Sequence, residues 1–148
     1  MSDLSDEEYR SLAEFRHALR VFLRFSEEAA RAEGLTPHQH QLLLAVRGAP
    51  EGTSPTVAEL AERLQLRPNS ALELARRAEL AGWVHLRRDP QDQRRQHVEL
   101  AADGARRLER LSQLHREELI GFRGRLGRLL DALDGDGSVD DGSVVGDG

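Results

Sequence analysis

Three sets of residues in this chain have types and spacings that could do chemistry. The first lies in Arg88 to Gly104, RDPQDQRRQHVELAADG. Asp89-Pro90-Gln91-Asp92 is turn chemistry, and Trp83, Val84 and Leu86 before it and His97 to Leu100 after it can form two short strands. Arg94 and Arg95 therefore fall near the tip of a hairpin, where guanidinium groups suit the narrow, electronegative minor groove of DNA. Asp92 is placed to hold the hairpin by pairing with an arginine. The second set lies on a helix expected from Pro68 to about Ala81, whose buried face is Ala71, Leu74, Ala75 and Ala78. That face turns Asn69, Ser70, Leu72, Glu73, Arg76 and Arg77 outward, toward a major groove. There Asn pairs with adenine, Glu accepts from cytosine N4, Ser is permissive and Leu72 could touch a thymine methyl. Arg67, at the N-cap, cannot accept a backbone hydrogen bond, so a DNA phosphate could complete the free N–H groups there. Arg77 has Glu73 one turn away and Asp89 nearby as competing partners, and Glu73 could select against wrong sites.

The third set is His38, His40 and His115, which could converge from the second and last helices. A metal site is not expected, because His38 and His40 are two residues apart and diverge by about 200° on a helix. The alternatives are an effector pocket between helices and ordinary surface histidines, the latter being the reading for His17 and His85. An enzyme is not expected either. There is no glycine-rich phosphate loop on a strand-to-helix turn, no G-x-S-x-G, no cysteine nucleophile and no paired carboxylates in an apolar setting, and no cofactor is implied. The G-x-x-G-x-x-G from Gly121 is embedded in a helical pattern. Asp134, Asp136, Ser138 and Asp140 imitate a calcium loop, but Val139 and Val145 stand where Gly and Glu are needed.

The 148 residues, 39% apolar, suffice for one core and are too few for two ordinary domains. No apolar run approaches a membrane span, and the acidic MSDLSDEEY start is unlike a signal peptide, so a cytoplasmic location is expected. Without cysteine there is no disulfide, thiolate metal site or sulfur redox switch. The net charge of −5 is unevenly spread. From Arg67 to Val98 there are 7 arginines against 4 acids, whereas residues 134–148 carry 5 acids and no base. The candidate nucleic-acid surface is thus locally basic in an acidic chain.

The elements that must position these residues follow from periodicity and caps. Ser5-Asp6-Glu7-Glu8 is a capping box, with Leu4 and Tyr9 at staple spacing. Leu12, Phe15, Leu19 and Phe22 carry one face of a helix to about Glu33, where Gly34 stops it. Thr36-Pro37-His38-Gln39 opens a second helix, and GAPEGTSP is a loop. Thr56 and Glu59 form the capping box of a third helix, which Gln65 and Leu66 join to the fourth. Gly82 ends the fourth helix. A long helical pattern resumes from about Ala102 to Leu133, and Gly121, Gly124 and Gly127 predict a kink or break into two helices, or a close helix crossing. DGDGSVDDGSVVGDG, at 134–148, has too little apolar mass to fold.

The order helix-turn-helix-hairpin, with Asp92, Arg94, Val98 and Leu100 in a D-x-R-x-x-x-V-x-L pattern and Gly104 downstream, resembles the MarR family of transcriptional regulators. The likeness covers roughly residues 10 to 133, including Leu35-Thr36-Pro37, VAELAERLQL and Gly82-Trp83-Val84. It departs at Ala101, where the family commonly has Thr, and at Leu72 and Glu73, where polar or basic residues are more usual. The resemblance implies a mainly α fold with a small β-hairpin wing, a winged helix-turn-helix with N- and C-terminal dimerisation helices. The expected division is 1–34 for the first dimerisation helix, 35–101 for the DNA-binding region, 102–133 for the C-terminal dimerisation helices and 134–148 for a disordered acidic tail. It further implies a homodimeric repressor of double-stranded DNA, relieved by a small aromatic or phenolic effector that His38, His40 and His115 would line. The competing reading is a winged-helix protein-interaction module without DNA binding.

Overall fold

The computed structural model describes residues 3–134, so the acidic segment after Asp134 lies outside the described residues. Five helices and one hairpin follow in the order α1 (Asp6–Ala32), α2 (Pro37–Arg47), α3 (Val57–Leu64), α4 (Pro68–Leu80), β1 (Val84–Arg88), β2 (Gln96–Leu100) and α5 (Ala102–Asp134). They group into two compact units. One is Phe25–Arg116; the other takes the described residues up to Arg24 and from Glu117 to Asp134.

Local chemistry sets most of the boundaries. Ser5 accepts from the Glu8 N–H at 3.2 Å while the Glu8 carboxylate accepts from the Ser5 N–H at 2.7 Å, which closes a capping box on α1. Thr36 and Gln39 do the same for α2, both bonds at 3.1 Å. At α3 only half the box forms. Thr56 Oγ1 accepts from the Glu59 N–H at 3.2 Å, but the Glu59 carboxylate reaches Arg95 instead, at 3.8 Å. Three helix ends use one device, and Gly34 (φ +82°) closes α1 with the same pair of bonds as the two that follow. Gly82 (φ +87°) sends its N–H to the Glu79 carbonyl and lets the Trp83 N–H reach that of Ala78 at 2.9 Å. After α3 the same pair of bonds forms around Gln65 (φ 54°), a left-handed position that glycine would normally take. The Gln65 amide donates to the Glu62 carbonyl at 2.7 Å, which helps offset the cost of that backbone.

Phe25–Arg116 holds the main core, in which Leu42, Leu43, Leu60, Ala75, Val84, Val98 and Leu111 are fully sequestered. Each such leucine or valine contributes about 1.5–3 kcal/mol through burial. β1 and β2 pair antiparallel from Val84↔Leu100 to Arg88↔Gln96. The loop before α3 is stitched to β2, with Val98 N–H donating to the Pro55 carbonyl at 2.9 Å and a bridge between Thr56 and His97. Gly104 is where α5 meets the base of the hairpin: a Cβ there would lie 2.1 Å from the Trp83 carbonyl oxygen. No side chain larger than hydrogen fits.

In the other unit Phe22 and Phe122 bring α1 and α5 together, with ring centroids 5.7 Å apart. The break expected at Gly121, Gly124 and Gly127 does not occur, since α5 is one helix through Asp134. Three glycines cost about 1 kcal/mol each. Dispersed among Phe122, Leu126, Leu129 and Leu133, they do not outweigh continuation of the helix. Nor do they mark a close crossing among the described residues, because a Cβ at Gly121 or Gly127 would meet nothing within 4 Å.

Candidate nucleic-acid interface

α4 is held by its alanines. Ala71, Ala75 and Ala78 are buried, and their small side chains let the helix lie close on the core. Arg67, Asn69, Ser70, Glu73, Arg76 and Arg77 are exposed on the rest of its surface, while Leu72 and Leu74 are half-buried. Arg67 is the N-cap and makes no side-chain capping bond, and Pro68 occupies the first turn. Arg77 pairs with Glu73 at 2.6 Å along the helix. Arg67 and Arg76 have no ion pair among the described residues.

The hairpin tip is held by hydrogen bonds rather than by burial. Asp89 N–H donates to the Arg95 carbonyl at 2.9 Å and Arg95 N–H to the Asp92 carbonyl at 3.0 Å. Asp89 Oδ1 accepts the Gln91 and Asp92 N–H groups at 2.8 and 3.0 Å. Asp92 Oδ1 accepts the N–H of Arg94 at 3.1 Å and its guanidinium Nε at 3.3 Å. Arg94 nevertheless leaves 93% of its side chain exposed. One groove gathers Asn69 and Leu72 of α4, Ala58 and Glu59 of α3, and Arg94, Arg95 and Gln96 of the hairpin. The two arginine-bearing elements read from sequence thus share one surface.

Three residues that tie the hairpin down, His97, Ser54 and Glu79, were not expected in that role from the sequence. His97 Nε2 lies 2.7 Å from Asp89 Oδ2, and its Nδ1 lies 2.7 Å from the Ser54 carbonyl. The hydrogen bond to Asp89, then that to the Ser54 carbonyl, raises the His97 pKa. The His97 bond, then the Gln91 and Asp92 amides, lower Asp89 to about 2. The Asp-Pro step was a signal for Asp89; nothing local signalled Ser54, which is 43 residues from His97. Glu79, at the end of α4, likewise accepts the Leu86 N–H at 2.6 Å and ties the hairpin to the helix.

The three histidines do not form one cluster. His40 and His115 stack with centroids 4.9 Å apart, and His115 meets the Leu111 carbonyl at 2.6 Å, Ser26 Oγ at 2.7 Å and the edge of Phe25. Burial, then the neighbouring His115, lowers the His40 pKa. His38 is exposed in a separate groove with Gln39, Ser70, Glu73 and Arg77. Among the described residues no group of three or more His, Asp or Glu is arranged to hold a metal ion.

A helix-turn-helix whose second helix shares a surface with an arginine-tipped hairpin defines a winged-helix protein. Residues 33–95, spanning the helix-turn-helix and most of the hairpin, match the model of the MarR family. The fold around them is similar to AbsC, a MarR family transcriptional regulator from Streptomyces coelicolor (TM-score 0.66, 18% identity, covering 91% of this chain and 99% of that one). It is similar to a MepR variant from Staphylococcus aureus bound to an oligodeoxyribonucleotide (0.65, 19%, 88% and 99%) and to YusO from Bacillus subtilis (0.63, 19%, 80% and 84%). No curated protein matches the sequence. The chain has a winged-helix fold similar to that of MarR family regulators, and the match to the family's model covers its residues 33–95.

Proposed function

We propose that this protein is a sequence-specific DNA-binding transcriptional regulator, a homodimeric repressor of a pseudo-palindromic operator relieved by a small effector. The observation that carries the reading is the shared groove: Asn69 at the start of α4 stands beside Arg94 and Arg95 of the wing, so one duplex can meet both. Arg94 and Arg95 would enter the minor groove. Asn69, Ser70, Glu73 and Arg76 would face base edges in the major groove, and Arg67 with the uncapped start of α4 would meet a phosphate. Asp92 would hold Arg94 in its approach. The DNA-bound MepR relative, of the same fold, supports this geometry.

Dimerisation is supported by apolar side chains left exposed on the helices of the smaller unit, Leu12, Val21 and Leu23 on α1 and Leu119, Ile120 and Leu130 on α5. A small aromatic or phenolic effector would be met by His40 and His115; His38, exposed in a separate groove, would not share that site. No helix among the described residues is long and apolar enough to cross a membrane, and we place the regulator in the cytoplasm.

The test is a fluorescence-anisotropy titration against the protein's own upstream region and a scrambled duplex, at low and physiological salt. Selective binding that weakens by about 0.9 log units per decade of salt for each phosphate contacted is expected. Equally weak binding to both duplexes would overturn the reading in favour of a protein-interaction module.

A further inference from the structure

We propose that His97 is a positioning residue for DNA binding: held as an imidazolium between the Ser54 carbonyl and the Asp89 carboxylate, it clamps the arginine-bearing wing to the segment preceding α3, so that DNA binding weakens when His97 loses its proton. This rests on the DNA-binding reading above.

The argument begins with donors and acceptors. A backbone carbonyl is only an acceptor, and so is an ionised carboxylate, yet these are what the two ring nitrogens of His97 face, each at 2.7 Å. A neutral imidazole has one N–H and satisfies one of them; the imidazolium satisfies both. Protonation of Asp89 instead is disfavoured, because its other oxygen already accepts two backbone N–H groups. The pair is well covered, with 18% of the His97 side chain and 19% of the Asp89 side chain exposed.

The charged groups that face His97 are few. Asp89 comes from the turn. Arg87 is its cross-strand partner on β1; it opposes protonation, but its guanidinium is bonded to Glu99 on β2 at 3.0 Å. Ser54 to Thr56 bring carbonyl oxygen and no charge. From α2, Arg47 shares a groove with Ser54 and Glu99, and from α3, Glu59 is paired with Arg95; neither is bonded to His97.

What the clamp joins gives it a function. On one side is the turn whose backbone presents Arg94 and Arg95. On the other is the strand-like segment that caps α3 through Thr56. Deprotonation removes one of the two bonds and leaves an acceptor unpaired, which frees the tip to move against the helix-turn-helix. A His97 pKa raised above 6.5 contributes stability that is complete below that value and lost as pH rises through the folded value. Asp89, lowered from 3.8 to about 2, contributes stability that is complete above 3.8 and lost as pH falls through about 2. The clamp is therefore closed below 6.5 and opens as pH rises through the raised His97 value.

The experiment has two readouts. In the DNA-free full chain, imidazole nitrogen NMR across pH 5–9 is expected to show both His97 nitrogens protonated at the acidic end and titration above 6.5. Anisotropy with a DNA duplex is expected to show affinity falling several-fold through the same pH interval. His97→Gln, whose amide cannot donate to both acceptors, is expected to bind more weakly at low pH and to lose the pH dependence. Asp89→Asn is expected to lower the His97 pKa and move the binding profile toward acid. Titration of His97 at or below 6.5, or an unchanged pH profile in His97→Gln, overturns the proposal. If no duplex binds at any pH the regulator reading falls, and amide exchange at Asp89 and Arg95 still decides the clamp: protection that does not change through the His97 titration overturns it.

Discussion

α4 and the wing line one groove, but different forces hold them in place. α4 lies on the core through Ala71, Ala75 and Ala78, and its outward side chains have few partners within the chain apart from the Glu73–Arg77 pair. The wing buries Val84 and Val98 at its base, while its tip is organised by Asp89, Asp92 and His97 through hydrogen bonds to backbone and ring. Burial responds little to pH or to moderate ionic strength; charge-assisted bonds near the surface respond to both. A helix of fixed orientation is thus paired with a hairpin tip whose order depends on solution conditions. Perturbing the core should move both elements together, whereas perturbing the tip should move one.

The largest effect is expected from Leu60→Ala. Leu60 is fully buried in α3, in the cluster that also contains Ala75 and Val98. Its truncation should cost about 2–5 kcal/mol. Thermal or urea unfolding should register that loss as a single transition, with helix and wing protection lowered together. A loss confined to either element would refute the shared foundation.

Gly104→Ala sharpens the comparison, because it acts where the wing base meets α5. The added methyl would stand 2.1 Å from the Trp83 carbonyl oxygen, which is backbone that cannot swing aside. Overpacking of this kind typically costs about 1–3 kcal/mol. The Ala101 N–H donates to the same carbonyl at 3.0 Å, so the hairpin end should loosen first. Amide exchange at Ala101 should rise more than at Ala78, inside α4. Equal increases at the two positions would mean that Gly104 serves the core as a whole.

These two sites also show what the sequence could reveal. The caps at Ser5–Glu8 and Thr36–Gln39, the stop at Gly82, the hairpin and the outward set on α4 all depend on neighbours within a turn or two, and periodicity exposes them. Gly104 was visible as a position in a pattern, but its reason, contact with Trp83, is tertiary. The divergence of His38 from His40 followed from helical geometry, and the structure places only His40 against His115. What local reading missed was long-range competition. Glu59 had a nearby role at Thr56 and a distant one at Arg95, and took the distant one. His97 read as an alternating strand residue because Ser54 is far away in the chain. The three glycines of α5 were read by their individual costs, and the apolar residues between them prevailed.

The smallest stability effect is expected at Glu73, where the comparison bears most directly on function. Its pair with Arg77 spans one helical turn, with side chains 63% and 72% exposed. Such pairs are worth about 0.3–0.5 kcal/mol and are screened by salt, so Glu73→Ala should barely shift the unfolding midpoint. Its effect on DNA should be larger and of a different kind. Removing the carboxylate frees the Arg77 guanidinium and takes one negative charge from the face that would meet phosphate. Affinity for a scrambled duplex should rise, selectivity for the cognate duplex should fall, and the salt dependence should steepen by up to one phosphate's worth. If Glu73→Ala instead weakened cognate and scrambled DNA equally, the carboxylate would be a support for Arg77 and not a selector. Recognition would then rest on Asn69, Ser70 and the wing arginines. Because α4 is held by its alanines and not by this ion pair, either result reports on reading of the duplex without confusion from loss of the helix.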